Sequence, residues 1–477
     1  TKKRMFDTIR VGKPIKDLKK RLAAITYLDD IGAKFLWECN APMFTYTANL
    51  IPEIADSIVE IDNAMRWGFA REVGIFDAWD AIGVEKSVNK MKEENRKVPT
   101  WVDEMLAAGR KSFYEIKNGE MTYWCPVEKK SLVYAQNKKV LNLNLYKDTK
   151  NTIKRDWSAS IHDIGDSVLN VEFHSIFVPA FNPLDRSMND IMKHALDLLE
   201  TGKYKGLVVG HQGKNWCAGA NVNDFKMAID SGNLQVMDAG VKDMQNVTQR
   251  IRHSKYPVVT CPFNLALGGG FEFYACSSHT VASGELYAGL VEAIQGLIPG
   301  AGGHLRVLLN LLENNDAKNV NMNIGRQAIE LINPMTVSRS ATDALKKGWL
   351  RKSDTIVMNS EHLLAVGKSK VLEMSDAGYE PPKYRDDLTL PGMTLRTMAS
   401  VGAKAMKAQG KISDHDELVN SKSAYVLSGG KQGGLMSKVD EQHVLDIERE
   451  CFMSLAGEPK TQARIAHFLK TGKPLRN

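Results

Sequence analysis

Residues 265–276 read LALGGGFEFYAC, in which three consecutive glycines separate two apolar runs. This order predicts a chain that leaves a strand, turns without obstructing side chains and enters a helix at Phe271. The N–H groups at a helix start have no partner within the helix, so they can bind an anion or a developing oxyanion. The alternative is that the glycines only permit close packing.

A second small-residue loop lies in NWCAGANVNDF (215–225), just beyond the apolar run KGLVVG (205–210), which predicts a buried strand. The small side chains of Ala218, Gly219 and Ala220 allow a ligand to approach the backbone. Two such loops can together supply a two-donor oxyanion hole, and removal of one donor from such a hole raises the barrier by on the order of 3 kcal/mol.

Two glutamates accompany these loops. Glu272 falls in the first turn of the predicted helix, where an acid also simply complements the helix dipole. Glu292 lies in the apolar context GLVEAI (289–294), where a carboxylate is costly without a partner or a function. Two carboxyls that face one pocket can hold a water molecule and transfer a proton to and from carbon, which is the requirement of hydration.

Three ordered motifs, CAGA (217–220), ALGGGFE (266–272) and VEAIQGLIPGAGG (291–303), resemble the enoyl-CoA hydratase/isomerase (crotonase) family over roughly residues 160–350. The resemblance implies that Glu272 and Glu292 are the catalytic glutamates and that the N–H groups of Ala218 and Gly269 form the oxyanion hole. The histidines are scattered without metal-ligand spacing such as HExxH, so no metal site is expected. The acyl-CoA substrate is expected to contact Ala218, Gly219, Ala220, Asn221, Gly268 and Gly269.

Residues 62–83 (DNAMRWGFAREVGIFDAWDAIG) resemble a different family, the C-terminal helical domain of 3-hydroxyacyl-CoA dehydrogenases. The whole order is similar to a multifunctional fatty-acid oxidation protein without its NAD-binding part. The chain opens on Thr1 and has no GxGxxG after a strand, which suggests a fragment. No cofactor is therefore expected, since CoA belongs to the substrate and NAD to a dehydrogenase part outside this chain.

The expected fold class is an α/β crotonase-like spiral of ββα units, flanked by all-helical segments that resemble the 3-hydroxyacyl-CoA dehydrogenase C-terminal domain. Helical spacing of apolar residues predicts a helical first domain, and a Lys- and Asn-rich stretch predicts a connector after it. The predicted boundaries are a helical domain at 1–127, a connector at 128–156, a hydratase core at 157–365 and a C-terminal helical region at 366–477.

Composition restricts the remaining possibilities. The 477 residues carry a net charge of +7, and six cysteines lie far apart with no CxxC pair, which indicates a cytoplasmic protein without structural zinc. No apolar stretch is long enough to span a membrane. The basic residues are not interleaved with aromatic ones, so nucleic acid is not an expected partner. An acyl-CoA thioester is, together with a homo-oligomer or other β-oxidation enzymes.

The functional prediction is hydration of 2-enoyl-CoA to 3-hydroxyacyl-CoA in fatty-acid β-oxidation. Two alternatives stay open. One is an enoyl-CoA isomerase of the same fold, which needs only one base. The other is a non-catalytic module that binds acyl-CoA or assembles a larger β-oxidation protein.

Overall fold

A computed structural model describes residues 6–117, 119–134, 139–147 and 149–477. The chain divides into two compact units, Thr1–Asn137 and Lys138–Asn477. Each unit has its own cluster of buried apolar side chains. We describe the two units separately.

From residue 6, where the description starts, the first unit has seven helices before its first strand. Side chains of Asp17, Asp30 and Ser57 cap three of them by accepting a backbone N–H near the helix start. Aromatic rings fill the core between the helices; the rings of Phe44 and Trp79, for example, stack with centroids 5.1 Å apart. The helices are α1 (Asp7–Gly12), α2 (Leu18–Ile25), α3 (Ile31–Asn49), α4 (Ile58–Phe69), α5 (Ile75–Ile82), α6 (Val84–Glu93) and α7 (Thr100–Ala107).

A three-stranded antiparallel sheet completes the first unit, where the sequence analysis expected only helices and then a connector. Its strands are β1 (Tyr114–Lys117), β2 (Glu120–Cys125) and β3 (Lys130–Val133). The segment EMTYWC is rich in aromatic and β-branched residues, which favour strands. Trp124 is buried in the same core as the helices. The sheet therefore belongs to the first unit, and the connector prediction for residues 128–133 does not hold.

The second unit is built on a seven-stranded mixed sheet in the order β12-β10-β8-β7-β6-β5-β4. The strands β4, β5 and β6 pair antiparallel, and all other neighbours pair parallel. The strands are β4 (Thr152–Arg155), β5 (Ala159–Asp163), β6 (Val168–Phe173), β7 (Gly206–Val209), β8 (Val258–Thr260), β10 (His279–Ser283) and β12 (Thr355–Val357). Residues 152–155 thus belong to a sheet edge, although they fall within the predicted connector.

A smaller parallel sheet pairs β9 (Asn264–Leu267) with β11 (Leu286–Gly289). Cys217 extends this sheet through an isolated parallel bridge to Ala266. Each turn of the chain thus contributes a strand to the large sheet, a short strand to the small sheet and then a helical segment. The predicted crotonase-like spiral of ββα units is confirmed.

The helices of the second unit cover the large sheet and continue to the end of the chain. The C-terminal region also contains a two-stranded antiparallel sheet, β13 (Leu388–Leu390) with β14 (Gly434–Val439), so it is not wholly helical. The helices are α8 (Arg186–Glu200), α9 (Val222–Asp230), α10 (Leu234–Arg252), α11 (Gly269–Ala275), α12 (Gly303–Asn314), α13 (Met322–Ile332), α14 (Ala341–Lys347), α15 (Leu363–Asp376), α16 (Met393–Ala408), α17 (Asp414–Leu427), α18 (Glu441–Ala456) and α19 (Pro459–Thr471).

Among the described residues, no helix has both the length and the apolar character that crossing a membrane requires.

Candidate active site

The triple-glycine loop joins the small sheet to α11, as the sequence predicted. Gly268 adopts φ 54°, a left-handed value that favours glycine, and its N–H is donated to the carbonyl of Gly289 at 2.8 Å. Gly269 is the first residue of α11, so its N–H has no acceptor within the helix. No described residue accepts a hydrogen bond from it. The Gly269 N–H is therefore available to a ligand.

The CAGA loop approaches the same point from the other side. Gly219 has φ 96°, and this torsion turns its carbonyl toward Leu184, whose N–H it accepts at 2.8 Å. Asn221 donates its N–H back to the Leu184 carbonyl at 2.9 Å. The Gly219 carbonyl and the Ala220 N–H belong to one trans peptide and therefore point in opposite directions. The Ala220 N–H thus points away from Leu184, toward the triple glycine. A Cβ built on Gly269 would lie 3.5 Å from the Ala220 nitrogen.

The structure corrects one predicted donor. The N–H of Ala218 is donated to the carbonyl of Phe181 at 2.9 Å, so it is not free for a substrate oxygen. The N–H of Ala220 has no acceptor among the described residues and lies beside Gly269. The pair of free donors is therefore Ala220 and Gly269. The prediction of Ala218 was wrong because the direction of each N–H in this loop depends on the positive φ of Gly219, which the sequence does not reveal.

Asn221 begins α9 as its N-cap, and its side chain accepts the N–H of Asn223 at 3.2 Å. The same side chain donates to Asp224 at 3.1 Å. These bonds fix the exit of the CAGA loop. The predicted contact between Asn221 and the substrate stays a prediction.

Glu272 is 3% exposed and extends from the first turn of α11. Its Oε1 accepts two backbone N–H groups at 2.8 Å, from Ala301 and Gly303. Burial and the nearby carboxyls of Glu292 and Glu448 raise the pKa of Glu272, while the two N–H bonds act in the opposite direction. Its Oε2 lies 3.8 Å from the position that a Cβ on Gly269 would occupy. One oxygen is thus anchored and the other faces the loop with the free donor.

Glu292 begins the 3-10 turn Glu292–Gln295. Its Oε1 lies 2.9 Å from the position of a Cβ built on Gly268, so a side chain at Gly268 would displace the Glu292 carboxyl. Its Oε2 is buried and has no hydrogen-bond partner among the described residues. Burial is the main cause that raises the pKa of Glu292 to about 8, and the nearby Glu448 carboxyl contributes. A buried, unpartnered carboxyl oxygen is unusual and is typical of functional sites.

The two glutamates are therefore neighbours of the same turn. Glu292 touches Gly268, and Glu272 approaches Gly269. The free N–H groups of Ala220 and Gly269 lie at this turn as well. The arrangement can stabilise a negative oxygen with two N–H donors while two carboxyls exchange a proton beside it.

A third buried carboxyl was missed by the sequence analysis. Glu448 on α18 is 0% exposed and binds the loop that also holds Glu272. Its partner His304 is equally buried. Glu448 lies 144 residues from His304 along the chain, so no local pattern indicated the contact.

Residues 178–314 match the family model described as "Enoyl-CoA hydratase/isomerase". That range contains the CAGA loop, the triple glycine, Glu272 and Glu292.

Two curated relatives cover nearly the whole chain. One, from Bacillus subtilis (strain 168), is named "Probable 3-hydroxyacyl-CoA dehydrogenase" and is 38% identical over 98% of this chain and 58% of its own length. The other, from Rickettsia felis (strain ATCC VR-1525 / URRWXCal2), is named "Putative fatty acid oxidation complex trifunctional enzyme" and is 25% identical over 93% of this chain and 54% of its own length. The chain thus spans little more than half of each relative.

A solved structure of a carnitinyl-CoA dehydratase from Mycobacterium thermoresistibile is similar at a TM-score of 0.48. The identity is 14%, and the match covers 67% of this chain and 91% of that one.

Proposed function

We propose that the second unit, residues 138–477, adds water across the double bond of a 2-enoyl-CoA in fatty-acid β-oxidation. The observation that carries this proposal is the buried, unpartnered Oε2 of Glu292, whose carboxyl lies at the same glycine turn as Glu272 and the free N–H groups. The match of residues 178–314 to the hydratase/isomerase family supports it. The words "fatty acid oxidation" in the name of a relative support the metabolic context.

In the proposed reaction, the thioester oxygen accepts the N–H groups of Ala220 and Gly269. A water oxygen forms a bond to C3, and one water proton passes to a carboxylate. The C2–C3 π electrons move toward C2 and the thioester, so negative charge develops on the oxygen between the two donors. The other glutamate then gives its proton to C2, and proton exchange between the two carboxyls restores the starting state.

We assign the base to Glu272 and the acid to Glu292. Burial raises the pKa of both carboxyls, so the assignment rests on their contacts: two backbone N–H groups bind one oxygen of Glu272, whereas Oε2 of Glu292 has no hydrogen-bond partner among the described residues. A pKa of about 8 for Glu292 keeps its proton in place at neutral pH. Every step uses groups of this chain and the substrate, so the proposed hydration requires no metal or redox cofactor.

The presence of two carboxyls favours hydration over isomerisation, since moving a double bond needs only one base. The same pair argues against a purely structural module. A buried carboxyl oxygen without a partner destabilises a fold, so a module with no chemistry has no reason to keep it.

The direct test is to incubate the purified chain with crotonyl-CoA and follow the loss of enoyl absorbance. We expect turnover and a 3-hydroxybutyryl-CoA product. A parallel assay with a 3-enoyl-CoA separates the alternatives, because an isomerase yields the 2-enoyl product without adding water. Absence of hydration with crotonyl-CoA and longer 2-enoyl-CoA substrates would refute the proposal.

A further inference from the structure

Residues 301–304, which lead into the first turn of α12 and are called the loop 301–304 below, donate four consecutive N–H groups alternately to two carboxyls. Ala301 and Gly303 donate to Glu272 at 2.8 Å each. Gly302 and His304 donate to Glu448, at 2.6 and 2.9 Å. The position of the Glu272 carboxyl and the position of the Glu448 carboxyl are therefore coupled through one short piece of backbone.

The carbonyl side of this loop is fixed as well. Gln245 on α10 donates to the carbonyl of Gly300 at 2.8 Å, and Thr248 donates to that of Ala301 at 3.1 Å. The second Gln245 bond goes to the carbonyl of Leu445 on α18 at 2.9 Å. The loop has little freedom as long as both carboxyls are in place.

Glu448 differs from the two site glutamates because both of its oxygens are occupied. Oε1 accepts from Gly302, and Oε2 accepts the backbone N–H of His304 and faces its Nδ1 at 2.8 Å. The other ring nitrogen of His304 lies 2.9 Å from the hydroxyl of Ser423 on α17. With both oxygens occupied and no exposure, Glu448 has no position left for a substrate or a water.

A negative charge on Glu448 also acts on the site. It contributes to the raised pKa of Glu272 and to that of Glu292.

We propose that Glu448 is a positioning residue for hydration: through the loop 301–304 it holds Glu272 in the orientation in which one oxygen is anchored and the other faces the substrate. This inference rests on the proposed function. Without Glu448, the N–H groups of Gly302 and His304 lose their acceptors, and unpaired buried donors drive the loop to rearrange. Glu272 is bound to the same loop and moves with it.

The C-terminal helices thereby become part of the active site. A second C-terminal helix, α19, contacts the segment of Glu292. Arg464 donates to the carbonyl of Ala293 at 3.1 Å, and Thr461 donates to that of Gly296 at 2.8 Å. These two hydrogen bonds hold the turn that carries Glu292 in place. Both site glutamates are thus oriented by residues more than 140 positions further along the chain.

The test compares Glu448→Gln with Glu441→Gln in the 477-residue chain. Glu441 is a matched control because it lies on the same helix, is 1% exposed, and accepts from Gln249 at 3.0 Å and from Arg385 N–H at 3.1 Å. Within the described part of the chain, none of its hydrogen bonds goes to residues 301–304. We measure kcat and KM for crotonyl-CoA, thermal unfolding, and hydrogen exchange of the peptide that covers residues 299–305.

We expect E448Q to lower kcat by about 30- to 100-fold with KM within about threefold, because orientation of a proton-transfer group affects the transition state more than substrate binding. Exchange of the loop should rise in E448Q and remain unchanged in E441Q. The conservative change Glu448→Asp, which keeps the charge, should recover part of kcat. If E448Q folds poorly, His304→Gln, which removes one of the partners, should still lower kcat by about 3- to 10-fold.

Wild-type kcat in a folded E448Q variant, or equal losses in E448Q and E441Q, would overturn the inference while the proposed function stands. An inactive wild-type chain would refute the proposed function instead. In that case the exchange experiment still decides whether Glu448 holds the loop, and an unchanged exchange rate in E448Q would refute that as well.

Discussion

Both units bury carboxyl groups, and the two sets differ in how their oxygens are used. In the first unit, Asp62 accepts the N–H groups of Phe76 and Asp77, and Asp80 accepts those of Phe113 and Tyr114, so each carboxyl has both oxygens occupied. In the second unit, Glu292 has a buried oxygen without a partner. Burial alone therefore does not mark a functional carboxyl.

The raised pKa values do not distinguish the two sets either. Burial raises the pKa of Asp62 to about 6 and that of Asp80 to about 7, close to the value of about 8 for Glu292. What differs is the partner of each oxygen. The aspartates tie the start of α5 and the start of β1 to the core, whereas Glu292 keeps an oxygen that only a ligand can use. Glu448 belongs with the aspartates by this criterion.

The largest expected effect concerns the functional carboxyl. Glu292→Gln should lower kcat for crotonyl-CoA by about 10³-fold, since it removes the proton that is delivered to C2. Stopped assays at high enzyme concentration, with thermal unfolding to show an intact fold, check this. Wild-type turnover in E292Q would show that the unpartnered oxygen of Glu292 does not mark a functional carboxyl.

The structural carboxyls should respond in stability and not in chemistry. Asp80→Asn replaces one acceptor oxygen by an NH₂ group, which leaves one of the two backbone N–H groups unpaired and should cost about 1–3 kcal/mol in the free energy of unfolding. We expect kcat to stay at the wild-type value. Denaturant titrations measure the loss, with Asp103→Asn as the control. Asp103 is an exposed partner of Lys92, and its loss should cost less than about 1 kcal/mol.

The pH dependence of catalysis should report Glu292. Its raised pKa means that the proton is present below about pH 8 and is lost above it. Because Glu292 acts as the acid, kcat/KM should fall above pH 8, by about tenfold for each further pH unit. Initial rates between pH 6 and 10 give the profile. A value of kcat/KM that keeps rising to pH 10 would show that Glu292 works as a base, contrary to our assignment.

The smallest expected effect is a change in the unfolding temperature at high pH. At pH 9 the wild-type Glu292 is ionised while its Oε2 is buried without a partner, a state that burial of this oxygen disfavours. A neutral glutamine avoids this cost, so E292Q should raise the unfolding temperature at pH 9 by about 2–5 °C. The difference should shrink at pH 6, where Glu292 is protonated. A lower unfolding temperature for E292Q at pH 9 would mean that Oε2 has a stabilising partner.

Much of the site follows from sequence alone. The glycine run predicted a strand, a turn and a helix start, and the structure has them at β9, Gly268 and α11. The prediction of the turn succeeds because it depends on local torsions and on apolar periodicity, which neighbouring residues determine. The apolar surroundings of Glu292 also predicted a carboxyl with a function; its buried Oε2 has no described partner, and the function itself stays a prediction.

Other features were decided by the tertiary structure. Ala220 and not Ala218 has the free N–H because the loop pairs with Leu184 and Phe181, more than 30 residues earlier in the chain. The strands β1 to β3 joined the first unit because Trp124 packs into its core. Glu448 reaches the loop 301–304 only after α18 has packed against it. The direction of a peptide N–H and the meeting of distant side chains depend on how whole elements pack, and local sequence patterns do not contain that information.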